Sequence, residues 1–409
     1  MIPDELKNCK SVLLLQGPRG PFFTRFSRYL QKKDISVHKI NFNGGDELFY
    51  PGNSIPFRGR IEDFEEYLED FFGSRDIGCI FLFGDCRPHH QIAKKVALRH
   101  EIDVYVFEEG YIRPDYITME KSGVNGFSSI PFNPYFYKGL DGNYVERPLP
   151  AATSFLKTAS AAVVYHLAEA VMRWKYPHYR YHKKFSLLTE PFFWVRSAVR
   201  KYIYRFSEKS EGERIFNDLS GKYFFVPLQV HDDSQVLFHS KYKNIEEFIE
   251  EVLASFAQNA SSEQHIIFKH HPMDRGHKDY RLFISRQARL HNIEDRVIYV
   301  HDIHLPKLLR HAKGVIVINS TVGLSALYHS TPLKVMGNSI YCINGLTYQE
   351  SLDEFWRNPG SVNNKLYMRF RAFIIQKTQL NGSFYGLFPF RDEETVNRID
   401  NKQAESDSA

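Results

Sequence analysis

Cysteine is scarce in this chain: four residues, Cys9, Cys79, Cys86 and Cys342, with neither a CxxC spacing nor a paired framework. Cysteines this sparse suit a reducing cytoplasm better than a secreted, disulfide-stapled fold. Long apolar runs are missing as well. No window approaches the ~20 uninterrupted apolar residues that a membrane-spanning helix needs. The opening stretch, MIPDELKNCK, carries charges of both signs and leads into an apolar run too short for a secretion signal. There is neither a P-loop nor a complete GxGxxG, which weakens kinase and dehydrogenase readings. HExxH is absent and the His and Cys residues lack metal-ligand spacing, so no metal or other cofactor is expected to be required.

What is present is the composition of a globular protein, 43% hydrophobic and 25% charged with a net charge of +5, over 409 residues. That length allows two sizeable cores. Between residues 12 and 110, apolar runs alternate with helix-like stretches: SVLLL, FFTRFSRYLQKK, SVHKINF, IEDFEEYLEDFF, GCIFLF, HQIAKKVALRHE and DVYVF. A second series runs from residue 222 through KYFFVPLQ, NIEEFIEEVLASFA, HIIFKH, RVIYVHD, LPKLLRHA, GVIVIN and VGLSALYH. Strand–helix alternation predicts parallel sheets with crossover helices. Two such series predict an α/β protein of two Rossmann-like domains facing across a cleft, the GT-B arrangement. Glycosyltransferases, phosphorylases and epimerases share it, so the fold alone does not give a function. The expected boundaries are an N-terminal domain over 1–150, a helical basic-aromatic linker over 151–215, a C-terminal domain over 216–345, a helical segment packing back over 346–390, and a polar tail over 391–409.

Inside the linker, residues 172–206 carry Arg173, Lys175, Arg180, Lys183, Lys184, Arg196, Arg200, Lys201 and Arg205 against Glu190 alone, with aromatics interleaved. This pattern reads as a solvated basic face between domains or as a contact with an anionic membrane surface. No nucleic-acid recognition module accompanies the charge, so nucleic acid is not an expected partner.

Ligands of open α/β sheets bind beyond the carboxyl ends of the strands. The first predicted strand is followed by Gln16-Gly17-Pro18-Arg19-Gly20 and the second by Asn43-Gly44-Gly45, turns whose glycines let backbone approach a ligand or another loop. Asp85-Cys86-Arg87 follows the third, and Glu108-Glu109-Gly110-Tyr111 the fourth. In the second series the ends are Gln229, then Lys269-His270-His271-Pro272, then His301-Asp302, then Asn319-Ser320-Thr321. Each alone has a structural explanation as a turn or a cap. Their recurrence after nearly every strand predicts a shared cleft. The first series contributes carboxylates, the second groups that suit a phosphate, including a helix start.

These stretches resemble the KpsS/LipB family of capsular polysaccharide proteins, from LLLQGPRGPFF through FNGGDE, FGDCRP, FEEGYIRPDYITME, KHHPMDRG and INSTVGLSAL to KVMGN and GLTYQ. The resemblance implies a cytoplasmic β-Kdo transferase (Kdo, 3-deoxy-D-manno-oct-2-ulosonic acid) peripheral to the inner membrane. It implies CMP-Kdo as donor and a phosphatidylglycerol-type lipid as acceptor, with the capsule biosynthesis and export proteins as further partners. By the same resemblance, His271 would hold the CMP phosphate and assist its departure. Ser320, Thr321 and the backbone there would hold the same phosphate, with Lys269 as counter-charge. Arg19, Arg87 or Arg113 would pair with the sugar's carboxylate, because guanidinium matches carboxylate bidentately.

CMP-Kdo is β-configured, so a β-linked product means retention, which calls for a carboxylate nucleophile. Glu109, Asp85 and Glu108 are the candidates, Glu109 first. Neighbouring carboxylates raise one pKa, as a proton carrier needs. Alternation along an extended chain also points Glu108 and Glu109 opposite ways, so one is expected to act and the other to support. A transferase with a CDP-polyol donor and a non-enzymatic scaffold for capsule synthesis and export are the competing expectations.

Overall fold

A computed structural model describes residues 9–142, 144, 148–181 and 189–391. The chain forms two compact units. The first unit is built around the strands β1 (Ser11–Leu14), β2 (Ser36–Asn41), β3 (Ile55–Pro56), β4 (Cys79–Phe83), β5 (Asp103–Glu109) and β6 (Tyr116–Lys121). The second holds β7 (Tyr223–Pro227), β8 (His265–Lys269), β9 (Val297–Val300), β10 (Gly314–Val317) and β11 (Leu333–Val335), after which β12 (Gln379–Asn381) rejoins the first. The sheet orders are β12-β6-β5-β4-β1-β2-β3 and β11-β10-β7-β8-β9. The second sheet is parallel throughout its pairs, and the first is parallel from β5 to β3. The expected two α/β sheets are therefore present.

The strands form where apolar side chains can be buried on both faces, the usual condition of a parallel sheet. Leu13, Leu14, Ile80, Phe81, Val106 and Phe107 are all fully buried. The helix Phe22–Gln31 lays Phe22, Phe23, Phe26 and Leu30 on one face of this sheet. Phe26 meets Phe81 edge-on at 4.9 Å and Phe107 at 5.4 Å, a geometry that aromatic quadrupoles favour.

Three features depart from the sequence expectations. First, β5 does not simply end at its carboxylates. It turns into the antiparallel β6, with Glu108 opposite Thr118 and Glu109 opposite Ile117. Gly110 makes that turn possible, since a Cβ there would lie 2.1 Å from the Tyr116 carbonyl oxygen. Second, the 151–215 linker is not one piece. Its described residues up to Tyr181 pack with the first unit and those from Thr189 with the second, while 182–188, with Lys183 and Lys184, lie outside the described residues. The helix Phe155–Val171 lies against the short helix Gly44–Leu48, because Gly44 and Gly45 carry no side chain. Third, the described residues between 125 and 144 belong to the second unit rather than to an N-terminal domain reaching residue 150, and Thr378–Arg391 belongs to the first. There β12 pairs with β6, while Phe384 and Phe390 join the core of the first unit. The expected 391–409 tail lies, after Arg391, outside the described residues.

Candidate active site

In the first unit the predicted carboxylates lie at the ends of adjacent strands, and they differ sharply. Asp85, 1% exposed, is fixed on every side. Its Oδ2 accepts from Lys94 Nζ at 2.9 Å and from the Val124 backbone at 3.3 Å, while its carbonyl accepts from Gln91. A carboxylate so committed anchors the Pro88–Arg99 helix to β4, which argues against its use as a nucleophile. Glu108 is partly covered and faces Gly84, whose absent Cβ would sit 3.5 Å from Glu108 Oε2. Burial pushes its carboxyl up to about 7; the charges of Glu109 and Asp85 add to this, while Arg87 and the Glu109 N–H oppose it. Glu109 is exposed. Of the pair, Glu108 is the carboxyl that burial raises.

The turns around these carboxylates form a polar cluster. Gln16 Nε2 donates to the hydroxyls of Tyr165 and Tyr179 at 2.8 Å each. Asn43 caps the Gly44–Leu48 helix through the Asp46 N–H, and its Nδ2 also reaches Tyr165 at 2.8 Å. Arg19 Nη1 lies 3.4 Å from His166 Nε2, and Arg87 Nη1 donates to the Gly17 carbonyl at 3.4 Å while lying over Phe83. Among the described residues, neither arginine has a carboxylate within salt-bridge distance. These two guanidiniums bring positive charge to the cluster.

Other predicted residues serve the scaffold. A Cβ on Gly44 would fall 2.2 Å from the Ala168 carbonyl oxygen and one on Gly45 2.6 Å from Tyr165, so both admit a helix rather than a ligand. Gly17 likewise makes room for Phe23, and Gly20 abuts Tyr385. Tyr111 is buried and gives its hydroxyl to Glu120 at 2.5 Å. Arg113 holds the β5–β6 turn through the Gly110 carbonyl at 3.2 Å.

In the second unit the predicted groups follow β7, β8, β9 and β10, four strands that are contiguous in the sheet. Gln229 is buried and spans Asp233 and Asn319, each at 3.0 Å from its Nε2. Asn319 in turn donates to the Gln235 carbonyl at 2.8 Å, so both amides fix loops. Ser320 Oγ accepts from the Val322 N–H, and Ser320 and Thr321 remain partly exposed beside them. Lys269 Nζ donates to the His301 carbonyl at 2.7 Å, and burial lowers its ammonium to about 8. Burial, aided by the charge of His301, pushes His270 down to about 4, and its Nδ1 pairs with the Tyr299 hydroxyl at 2.5 Å. This histidine is a neutral part of the floor. His271, with Pro272 behind it, is partly exposed and caps the following turn, its Nδ1 accepting from the Met273 N–H at 3.2 Å. That bond places the ring proton of the neutral form on Nε2.

Sequence reasoning missed a further pair. Asp274 is fully buried and takes the His231 Nδ1 at 2.5 Å and the His231 N–H at 2.9 Å. The bond to Asp274 raises His231, against burial. His231 stands two residues after Gln229 at the end of β7, so the strand-end rule reached its neighbourhood; the partner, forty-three residues on, carries no local signal. Glu208 was also missed: it receives the backbone N–H groups of His301 and Asp302 and the His301 ring.

A family described as capsule polysaccharide biosynthesis protein matches residues 78–385. The capsule polysaccharide export protein KpsS of Escherichia coli is 41% identical over 377 residues, 92% of this chain and 97% of that protein. The capsule polysaccharide modification protein LipB of Neisseria meningitidis serogroup B is 39% identical over 403 residues, 96% of each. Among solved structures, KpsC of Thermosulfurimonas dismutans, a β-Kdo 2,7-transferase, aligns over 88% of this chain and 89% of its own, with 16% identity and a TM-score of 0.41. The family match and the near full-length relatives place this chain in the capsule polysaccharide biosynthesis family.

Proposed function

We propose that the chain is a retaining β-Kdo transferase that moves Kdo from CMP-Kdo to a phosphatidylglycerol or lysophosphatidylglycerol acceptor, starting the poly-Kdo linker of capsular polysaccharide. The observation that carries the reading is the division of labour at the end of β5. One carboxylate, Glu108, holds its proton up to about pH 7, and its exposed neighbour Glu109 is free of that burial. Double displacement needs these two behaviours. Glu109 attacks the anomeric carbon as CMP departs, and the acceptor hydroxyl then displaces Glu109 while Glu108 takes its proton. For the phosphate of the nucleotide the second unit offers His271, the positive charge of Lys269 and the hydroxyls of Ser320 and Thr321. Arg19 and Arg87 meet the anionic groups of sugar and acceptor in the first unit.

The same reading places the protein at the cytoplasmic face of the inner membrane. No described helix is long and apolar enough to cross a bilayer. The helix Glu190–Ser207 nevertheless turns Phe192, Val195, Val199, Tyr202 and Phe206 outward at three- and four-residue intervals, with exposed Lys201 and Arg205 beside them. Its inner face is packed: Tyr204 stacks on His301 at 3.7 Å and Arg200 donates to the Arg275 carbonyl at 2.9 Å. Apolar and basic side chains on one outward face suit an anionic lipid surface.

The test is transfer followed by mass spectrometry, with CMP-Kdo made in situ and phosphatidylglycerol or lysophosphatidylglycerol as acceptor. A lipid heavier by one Kdo, absent with Glu109→Gln and His271→Ala, is the expected result. A folded protein that turns over CDP-glycerol but not CMP-Kdo would move the donor assignment. Activity untouched by Glu109→Gln would remove the covalent step.

A further inference from the structure

The helix Phe155–Val171 is amphipathic in reverse. Its inward face carries Ala162, Tyr165, His166 and Ala168, all buried. Its outward face carries Leu156, Val163, Val164, Leu167 and Val171, all exposed, with Leu167 at 54% and Val171 at 66%. Trp174, 80% exposed, continues the outward row just past the helix. Lys157 is the one charged residue on that outward arc, and exposed Arg173 and Arg180 follow the helix. The helix's single acid, Glu169, is turned inward onto His166 Nδ1 at 2.8 Å.

The inward face is a wall of the polar cluster that holds Arg19. His166 touches Arg19, and Tyr165 receives the amides of Gln16 and Asn43. One helix therefore separates Arg19, which has no carboxylate within salt-bridge distance among the described residues, from an exposed apolar surface with a basic flank. A helix with its side chains is roughly 10 Å across. An amphipathic helix lying in a bilayer interface sinks its apolar face roughly 5–10 Å, to the headgroup and acyl boundary. Those lengths match: with the apolar row in the interface, Arg19, which touches the inward face, stands at headgroup depth.

We infer that the outward face of Phe155–Val171 docks on an anionic lipid surface and that its inner face presents Arg19 to the phosphate of a lipid headgroup. The helix lies on the bilayer, since neither it nor any other described helix qualifies to span it. The positive flank selects acidic over zwitterionic lipid. The phosphate assignment rests on the lipid-acceptor reading above, whereas the docking face rests on the helix alone.

The experiment compares the wild type with Val164→Glu/Leu167→Glu/Val171→Glu, and with the milder Val164→Ser/Leu167→Ser should the first fail to fold. Each is sedimented with phosphatidylglycerol vesicles and with phosphatidylcholine vesicles. The expected result is binding of the wild type to phosphatidylglycerol vesicles only, weakened about tenfold or more in the acidic variant. Transfer to vesicle-embedded phosphatidylglycerol falls in parallel, while transfer to monomeric dihexanoyl-phosphatidylglycerol is kept. With Phe192→Ser/Val195→Ser/Phe206→Ser placed in both proteins to silence the Glu190–Ser207 face, equal vesicle binding by variant and wild type overturns the docking face, as does equal binding to both lipids. So does a dimeric wild type that the variant converts to monomer with vesicle binding intact, which would make the face a contact between copies. Vesicle binding as expected without transfer to any lipid would leave docking in place and overturn the phosphate assignment with the acceptor reading beneath it.

Discussion

The backbone N–H of Glu109 donates to Glu108 Oε1 at 3.0 Å, so the Glu108 carboxyl is held at the end of β5 beside Glu109 even though alternation starts the two side chains on opposite faces. The bond favours ionised Glu108, and burial outweighs it, leaving the carboxyl at about 7. A general base with that pKa makes transfer rise with pH through about 7 and then level off. Glu108→Gln is expected to lower kcat by roughly 10²–10³ and to remove that inflection. A pH–rate profile that keeps its inflection in the variant would assign the proton elsewhere.

The same shift has a consequence for folding. The folded state holds a proton on Glu108 between about 4.5 and about 7, where the unfolded chain has lost it. Stability therefore falls as pH rises across that window. The displacement corresponds to roughly 1–3 kcal/mol, allowing for partial exposure. Glu108→Gln is expected to melt close to the wild type at pH 4.5 and above it at pH 8. Identical melting curves at both values would show that the carboxyl is not desolvated.

How much of this was legible in the sequence depends on the range of the signal. Strands β1, β2, β4, β5 and β7 to β10 announced themselves as short apolar runs. By contrast, β12 is Gln379-Leu380-Asn381, three residues that form a strand because β6 offers them an edge. Strand-end reasoning reached Glu108, Glu109 and His271, since a parallel sheet fixes where its functional ends point. It could not reach Tyr165 or His166, whose helix is brought to the site by two glycines more than a hundred residues earlier. The glycines themselves carry a local signal, close approach of backbone to a ligand or another loop; only the packed helix shows what fills their space.

That reassignment is testable at Gly44. Gly44→Ala sets a methyl 2.2 Å from the Ala168 carbonyl oxygen, and the helix must move or the turn must open. A cost of about 1–3 kcal/mol is expected, read as a lower melting temperature without ligand. Unchanged melting with a weaker substrate affinity would return Gly44 to the ligand.

Lys269 gives a second pH signature, in nucleotide binding. Burial lowers its ammonium to about 8, so the positive charge is present at neutral pH and is lost above that value. CMP affinity measured by calorimetry is expected to decline between pH 7 and pH 9. Lys269→Met should bind more weakly at pH 7 and show little further decline. A wild-type affinity flat across that range would mean that Lys269 supports the His301 carbonyl and nothing more.

The pair His231–Asp274 supplies the last test. Asp274 is fully buried and its two oxygens receive the ring and the backbone of His231 at 2.5 and 2.9 Å. The hydrogen bond to Asp274 raises His231, so the charged pair stabilises the fold fully below about 6.5, the unfolded value, and the contribution is lost as pH rises through the folded one. Asp274→Asn is expected to cost about 1–3 kcal/mol at pH 6 and less at pH 9. In the same variant, the His231 ring protons followed by NMR should titrate at a lower pH than in the wild type. If the loss were equal at both pH values and the titration unmoved, the carboxylate would be holding the loop through the His231 backbone alone. If both moved while CMP affinity stayed constant, the pair would be a scaffold for the β7 end; a matching loss of CMP affinity below pH 6.5 would bring His231 into the phosphate site beside His271.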